Sequence, residues 1–499
     1  MSQDDELLHD GAPVSTGLPE LDYILSGGFA ANRLHLVEGE PGSGKTTLGL
    51  QFLLEGSAKG ERCLYITLSE SRDELLHVAE THGWDLSGID IFELVPPELS
   101  LDSEREQSIV YASDLELGET VRLVMEEIER VAPTRVVFDS LSEIRLLAQG
   151  KLRFRRQVLA LKHYFAKHRC TVICLDDLTI TEDDLSLHSL AHGVVRLEQV
   201  ALGYGAERRR LRVWKMRARA FRGGFHDFLI CKGGLEIYPR LVAAAHPDEG
   251  IVPRIATSGV ETLDSLVGGG LEYGTSTLII GPSGSGKSTL SLQYAHAALS
   301  RGERALVVSF DETRRIFFAR ARGLGMDLDE FDHAGLLTFR QVDPAELSPG
   351  ELTSVIRKEV DSGAAIVILD SLSGYQHAMP EEQHMLLQMH EIVTYLNQQG
   401  VLTFLILAQS GMVGQMQSPV DLTYLSDNVM LLRFFEAEGE IRRALSVIKK
   451  RTGAHESTIR EFKIDTRGIQ VGPQLAGFSG VLTGVPVFEG KSRLLQDRE

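Results

Sequence analysis

Short and almost fully apolar runs alternate with longer stretches of mixed polarity along the entire chain. In the first half the apolar runs cover residues 34–37, 63–67, 135–138 and 171–175, and in the second half 277–280, 305–309, 366–369 and 402–407. Strands with apolar residues on both faces are typical of parallel sheets that helices cover on both sides. The pattern therefore predicts an α/β fold in each half, with a mostly parallel, twisted sheet flanked by helices.

The chain contains an internal repeat. The segment STGLPELDYILSGGF starts at Ser15 and TSGVETLDSLVGGGL starts at Thr257, and each precedes an apolar run and a glycine-rich loop. Matching positions lie 242 residues apart through most of each half and 234 apart near its end. Such a repeat indicates a tandem duplication. We expect two domains, 1–245 and 246–499, joined within LVAAAHPDEGIVPR, where two prolines interrupt the apolar pattern.

Both glycine-rich loops, GEPGSGKT and GPSGSGKS, satisfy the phosphate-loop pattern G-x-x-x-x-G-K-[ST]. The glycines allow successive backbone N–H groups to face one phosphate chain at the positive end of the following helix. Lys45 and Lys287 would neutralise the β- and γ-phosphates. The pattern predicts that each half binds ATP or GTP. The predicted nucleotide-binding residues are Gly39, Gly42, Ser43, Gly44, Lys45, Thr46 and Thr47 in the first half, and Gly281, Gly284, Ser285, Gly286, Lys287, Ser288 and Thr289 in the second.

A candidate magnesium site accompanies each phosphate loop. Apolar strands end in Asp139 and Asp370, and each aspartate opens the same tetrapeptide, Asp-Ser-Leu-Ser. A carboxylate at the end of a neighbouring strand would lie beside the phosphate loop and hold a water bound to Mg²⁺. Together with the hydroxyls of Thr46 and Ser288, these aspartates are the predicted metal-side ligands.

Candidate catalytic carboxylates follow the strand after each phosphate-loop helix. These are Glu70 in the first half, and Glu312 with Asp311 as a second base in the other. A solvated acidic loop would explain one such position, but not two in register. We therefore expect these groups to orient or deprotonate the water that attacks ATP.

The basic run RRRLRVWKMRARAFR has two interpretations, a grip on nucleic acid or charges that reach a neighbouring subunit's nucleotide. Lys215 and Arg217 are two apart, so on a strand they would point the same way. The pair recurs as Lys449 and Arg451. Repetition in register with the ATP sites favours phosphate contacts made in trans.

Composition narrows the class of protein. The net charge is −19, from 70 acidic and 51 basic side chains, which disfavours a passive nucleic-acid binder. Cys63, Cys170, Cys174 and Cys231 show no disulfide or zinc-ligand spacing. No apolar run approaches the roughly 18 residues that span a bilayer, and the start MSQDDELLHD does not resemble a signal peptide. We expect a cytoplasmic protein with reduced cysteines and no membrane contact.

Taken together, these residues closely resemble the KaiC family, the RecA-like ATPases of the bacterial circadian clock and their non-clock homologues. The resemblance rests on the duplicated phosphate loops, the GWDL and GMDL segments, the repeated DSLS and the two K-x-R pairs, and it covers about residues 15–486. It implies two tandem RecA-like P-loop domains that bind ATP and Mg²⁺, assembled as a double-ring homohexamer with ATP between subunits. It also implies slow ATP hydrolysis in the N-terminal ring, and a serine/threonine autokinase and autophosphatase in the C-terminal ring.

The chain departs from the family pattern at three places. Where the family has two adjacent glutamates, this chain has Ser69-Glu70 in the first half and Asp311-Glu312 in the second. Each half therefore retains at least one carboxylate that can act as a base. The family's Ser-Thr phosphoacceptor pair corresponds to Thr423-Tyr424 in this chain. The alternative interpretation is that these two residues are not phosphorylated and only belong to an interface. The tail after GVLTGVPVFEGKS is short, which argues against binding of KaiA, whereas a KaiB-like partner is compatible with the sequence.

Three functions follow as hypotheses. The first is an ATPase with C-terminal autokinase activity that acts as a clock-like or stress-signalling timer. The second is a ring scaffold that ATP only assembles and a partner reads. The third is a DNA-stimulated RecA-like motor, which the acidic total charge and the lack of an aromatic-rich basic tract disfavour.

Overall fold

A computed structural model describes residues 11–94, 109–178, 185–201, 205–246, 250, 252–378, 382–409, 422–481 and 487–488. The chain divides into two compact units, with the division between Arg240 and Leu241. This division lies slightly before the boundary that the linker composition predicts. Leu241 and Ala243 are buried among residues of the second unit, which accounts for the difference. The N-terminal start and the short C-terminal tail lie outside the described residues.

The first unit alternates strands and helices up to β6 and then continues in strands. Its helices are α1 (Pro19–Ile24), α2 (Lys45–Ala58), α3 (Arg72–His82), α4 (Ile109–Val131), α5 (Leu141–Ala148), α6 (Lys151–Lys167) and α7 (Leu185–Leu190). Its strands are β1 (Leu34–Gly39), β2 (Cys63–Thr67), β3 (Ile89–Glu93), β4 (Arg135–Asp139), β5 (Thr171–Asp177), β6 (Gly193–Val200), β7 (Arg208–Met216), β8 (His226–Cys231) and β9 (Gly234–Tyr238).

The second unit repeats this order. A short 3₁₀ helix (Ala243–Ala245) precedes α8 (Glu261–Leu266), α9 (Lys287–Ser300), α10 (Arg314–Gly323), α11 (Asp329–His333), α12 (Pro349–Asp361), α13 (Leu372–Ala378) and α14 (Glu382–Gln398). Its strands are β10 (Ile255–Ala256), β11 (Leu271–Glu272), β12 (Ser276–Gly281), β13 (Arg304–Ser309), β14 (Leu337–Gln341), β15 (Ala364–Asp370), β16 (Leu402–Ala408), β17 (Asn428–Ala437), β18 (Glu440–Lys450), β19 (Arg460–Asp465), β20 (Gly468–Gln474), β21 (Phe478–Ser479) and β22 (Val487–Phe488).

Each unit contains a nine-stranded sheet, and the two sheets share one topology. The orders are β3-β2-β4-β5-β1-β6-β7-β8-β9 and β14-β13-β15-β16-β12-β17-β18-β19-β20. In the first sheet the strands from β3 to β6 are parallel, and β7, β8 and β9 extend it antiparallel. The predicted α/β fold class is confirmed. Every strand that the sequence predicts lies within an observed strand.

Helices cover both faces of each sheet, so that an apolar core forms on each face. In the first unit α1, α2 and α3 pack on one face, and α4, α5 and α6 on the other. In the second unit α8, α9 and α10 occupy one face, and α12, α13 and α14 the other. The strands between them are apolar on both faces for this reason.

The repeated segment before each phosphate loop has a structural role. Asp22 accepts hydrogen bonds from the backbone N–H and the hydroxyl of Thr16, at 2.8 Å each. Asp264 accepts a 2.8 Å bond from the backbone N–H of Ser258 in the same way. A short polar side chain that bonds nearby backbone fixes the turn that leads into a helix. The two halves therefore share the same entry to α1 and α8.

None of the four cysteines forms a disulfide in the described part of the chain, and Cys63, Cys170 and Cys174 are buried. Within the described ranges, no helix is both long and apolar enough to cross a membrane.

Candidate functional site

Both phosphate loops connect a central strand to a buried helix. β1 ends at Gly39 and α2 starts at Lys45, while β12 ends at Gly281 and α9 starts at Lys287. A Cβ atom at Gly39 would lie 2.5 Å from the Ser43 hydroxyl, closer than real Cβ atoms approach. The first glycine of the loop is therefore required by close packing.

The last glycine of each loop has a left-handed backbone. φ is 95° at Gly44 and 101° at Gly286, where an L side chain would be strained. These residues precede the two lysines that begin α2 and α9. The glycine conformation thus directs the loop into the helix start, whose free N–H groups favour an anion.

The two phosphate-loop lysines have different neighbours. Lys45 donates to the carbonyls of Gly39 and Glu40, at 2.9 Å each, and pairs with Asp177 at 2.8 Å. Asp177 ends β5, the strand beside β1. A nucleotide in this loop would have to compete with Asp177 for the Lys45 ammonium.

In the second unit the lysine has no acid at the same place. The residue that pairs with Gly281, as Asp177 pairs with Gly39, is Ala408. Lys287 donates to the Pro282 carbonyl at 2.8 Å. Burial lowers the pKa of Lys287 to about 8, although the charge of Asp370 opposes the shift.

The candidate metal-side residues are adjacent in each unit. Asp139 is buried and accepts hydrogen bonds from the hydroxyls of Tyr65, at 2.6 Å, and Thr46. Asp370 likewise accepts a hydrogen bond from the hydroxyl of Ser288. Burial raises the pKa of both aspartates above the usual range.

Carboxylate and hydroxyl oxygens are ligands that suit Mg²⁺, which usually retains waters and takes phosphate oxygens as well. In the part of the chain that the structure describes, no group of three or more His, Cys, Asp or Glu residues forms a metal site. The residues present therefore fit a Mg²⁺ ion that the phosphates of a nucleotide help to hold.

Glu70 lies close to these groups, three residues beyond the end of β2. Its backbone exchanges hydrogen bonds with the Thr67 hydroxyl, which fix the turn. Burial raises the pKa of the Glu70 carboxyl to about 7, and the negative charges of Asp139 and Glu74 add to the shift. Its Oε2 atom is buried and has no hydrogen-bond partner among the described residues. A carboxylate of this kind can take a proton near neutral pH.

In the second unit the corresponding carboxylates are both engaged. Asp311 accepts a 2.6 Å hydrogen bond from the Ser371 hydroxyl. Glu312 is paired with Arg320 of α10 through two hydrogen bonds, at 3.0 and 2.7 Å. The two predicted catalytic sites therefore have the same backbone arrangement, but the charged groups around their carboxylates differ.

The first K-x-R pair lies at the end of β7 and contacts the end of α7. Lys215 donates to the carbonyls of His188 and Ala191, and Arg217 donates to that of Ser189 at 2.7 Å. The structure brings the pair together, as the two-residue spacing predicts. Contacts with a nucleotide of a neighbouring subunit stay a prediction.

The second K-x-R pair contacts the predicted phosphoacceptor turn. Lys449 donates to the carbonyls of Thr423, at 2.9 Å, and Ser426, at 2.6 Å. Arg451 donates to the carbonyl of Tyr424 at 3.0 Å. Both acceptor candidates are exposed, and Tyr424 is 56% exposed. The basic pair thus supports the backbone of the turn, while its side chains face outward.

The sequence interpretation missed three polar residues of the two sites. Tyr65 lies on β2, next to the strand that ends in Asp139, and Asp177 lies on β5, next to β1; the acidic end of CLDD was a usable signal for Asp177. Arg320 could have been found by comparing the halves, since the matching residue is Val78. No short motif marks any of the three.

Comparison with known proteins identifies the same family in both halves. A family model described as "ATPase: KaiC" matches residues 14–242 and 256–476. The circadian clock protein KaiC3 of Synechocystis sp. is 26% identical over 498 residues, covering 96% of this chain and 96% of the relative. The circadian clock oscillator protein KaiC of Thermostichus vulcanus is 26% identical and covers 95% of this chain and 91% of its own length. That of Synechococcus elongatus is 26% identical, with 95% and 92% covered.

Proposed function

This chain belongs to the KaiC family of ATPases, and from that premise we propose that it hydrolyses Mg-ATP in its N-terminal half and phosphorylates itself in its C-terminal half. The observation that carries the first part is Glu70, a half-buried carboxyl with a pKa of about 7 and a buried oxygen that has no hydrogen-bond partner among the described residues. A family of P-loop ATPases over both halves supports ATP as the nucleotide.

In the N-terminal site, Lys45 would bind the β- and γ-phosphates after leaving Asp177. Thr46 and Asp139 would hold Mg²⁺ together with the phosphates, and the bound ion would neutralise charge on the phosphate oxygens. Glu70 accepts a proton from the attacking water as the water oxygen bonds to the γ-phosphorus and the bond to the β-phosphate oxygen breaks. ADP, inorganic phosphate and the proton are the products. Because Ser69 stands where the family has a second glutamate, Glu70 acts without a neighbouring base, which favours slow turnover.

For the C-terminal half we propose Thr423 as the phosphoacceptor, with Tyr424 as the second candidate. Both side chains are exposed, which supports access by another subunit's nucleotide, and Lys449 and Arg451 bond to the backbone of the turn. The threonine oxygen would bond to the γ-phosphorus, ADP would leave, and the hydroxyl proton would pass to Asp311, since both oxygens of Glu312 are paired with Arg320.

Transfer between subunits requires an assembly, and we propose the closed homohexamer that the family resemblance implies. Head-to-tail contacts that close give such a ring. Relatives named as circadian clock proteins support a timing function. A KaiB-like protein is the partner that this proposal allows.

Incubation with γ-labelled ATP tests the autokinase. We expect label retained on the intact protein, mapped by mass spectrometry to Thr423, and lost in Thr423→Ala. Tyr424→Phe is the matched variant, because it removes the neighbouring hydroxyl and keeps the ring, and it should retain the label on Thr423. Unlabelled protein that still forms hexamers would contradict the proposal and support a nucleotide-assembled scaffold.

A further inference from the structure

The predicted bases of the two halves occupy equivalent positions but have opposite surroundings. Arg320 donates Nε–H to Oε1 of Glu312 at 3.0 Å and Nη2–H to Oε2 at 2.7 Å. Both carboxylate oxygens are therefore engaged by one guanidinium. Planar pairing of this kind is strong and geometrically specific.

The N-terminal half lacks this arginine. The residue 242 positions before Arg320 is Val78, which packs against the core on α3. Because α3 and α10 start at equivalent residues, Arg72 and Arg314, the valine and the arginine belong to the same turn of the same helix. Glu70 consequently keeps a buried oxygen with no partner among the described residues.

Arg320 is held in the site rather than in solvent. Its side chain is 26% exposed, and its guanidinium lies 5.4 Å from the centre of the Phe317 ring. Its positive charge also acts on Asp370, the metal-side carboxylate. The pairing with Glu312 is thus part of the arrangement around the C-terminal phosphate loop.

We propose that Arg320 is a positioning residue that holds Glu312 in a bidentate pair and thereby suppresses ATP hydrolysis in the C-terminal site. This inference rests on the proposed roles of Glu70 and Glu312. To accept the proton of an attacking water, Glu312 must first leave the guanidinium, whereas Glu70 needs no such step. Glu312 is therefore withheld as a base for hydrolysis in the C-terminal site, which leaves the γ-phosphoryl group for transfer to a hydroxyl of the protein with Asp311 as the base.

The test uses the full chain with one phosphate loop disabled at a time. In the Lys45→Ala background only the C-terminal site should bind ATP, and there Arg320→Val, the residue of the other half, should raise kcat at least about tenfold with KM within about twofold. Arg320→Lys should give an intermediate kcat, because an ammonium cannot make the paired hydrogen bonds. Adding Glu312→Gln should remove the gain.

A reciprocal pair of variants gives an independent readout. In the Lys287→Ala background, Val78→Arg should transplant the pair onto Glu70 and lower kcat about tenfold. Val78→Met, similar in length but uncharged, should leave kcat unchanged. If position 78 or 320 had only a structural role, the charged and the uncharged substitutions at that position would change kcat by the same factor.

An unchanged or lower kcat in Arg320→Val would overturn the inference, and a lower one would assign the guanidinium to phosphate binding. If a single-loop variant fails to assemble, Arg320→Val in the otherwise unaltered chain distinguishes the same outcomes through total ATP turnover. Failure of the proposed function is distinguishable: Glu70→Gln would then leave turnover at the N-terminal site unchanged, whatever Arg320 does.

Discussion

Replacing Glu70 with glutamine is expected to lower ATP turnover at the N-terminal site by about 100-fold or more, the range for losing a general base. The amide keeps the shape of the side chain but cannot take the proton of the attacking water. Steady-state phosphate release in the Lys287→Ala background measures this site alone. Glu80→Gln is the matched control, since Glu80 is an exposed carboxylate on the same α3 helix, and it should turn over as the parent does.

The pH dependence provides a second check on the same residue. Because burial raises the pKa of Glu70 to about 7, a growing fraction of the carboxyl is deprotonated as the pH rises through 7. The kcat/KM of the N-terminal site should therefore increase over this range and then level off, since kcat/KM reports the free enzyme. A profile that is flat around neutral pH, or Glu70→Gln with undiminished turnover, would assign the base elsewhere.

Replacing Arg135 with alanine is expected to reduce the free energy of unfolding of the first unit by about 2–4 kcal/mol, because it removes a buried side chain and leaves the carbonyls of Ser15 and Phe52 without its hydrogen bonds. Arg135 is 1% exposed, and its guanidinium pairs with Glu61 through bonds of 2.9 and 2.8 Å. It also donates to the carbonyl of Phe52 in α2, at 2.9 Å. Arg135 thus ties the strand that ends in Asp139 to the phosphate-loop helix.

Denaturation followed by tryptophan fluorescence measures this effect, because both tryptophans of the chain, Trp84 and Trp214, belong to the first unit. Arg130→Ala is the control: its side chain is 62% exposed, so its loss should leave the free energy of unfolding essentially unchanged. Arg135→Ile with Gly56→Ala copies the apolar residues of the second unit, so it should recover much of the stability. If Arg135→Ala and the parent had equal free energies of unfolding, the interactions of Arg135 would not stabilise the first unit.

The phosphate loops, the duplication and the parallel strands could be predicted because their signals are local. A loop such as 39–46 carries its glycines, lysine and hydroxyl within one short segment, and the repeat doubles the signal. The composition of apolar strands such as β2 predicts that both of their faces are buried, as they are. The antiparallel strands from β7 onward are harder to predict from the sequence. In β7 the charged residues interrupt the apolar run, because the strand is not buried on both faces.

The electrostatic character of the site could not be predicted in the same way. The pairing of Lys45 with Asp177 joins residues far apart in the chain that meet only because β5 lies beside β1. The raised pKa of Glu70 depends on burial and on Asp139, which the fold supplies. A glutamate in the same register was predicted to act alike in both halves, and Arg320 makes the second one different.

Counting bound nucleotide per chain tests most directly whether both phosphate loops hold ATP, on which the proposed hydrolysis and phosphoryl transfer depend. Equilibrium binding of radiolabelled ATP with Mg²⁺ should saturate at two molecules per chain in the parent protein. Lys45→Ala and Lys287→Ala should each reduce the count to one, and the double variant should bind none. A double variant that still binds two ATP molecules with undiminished affinity would contradict the assignment of both sites.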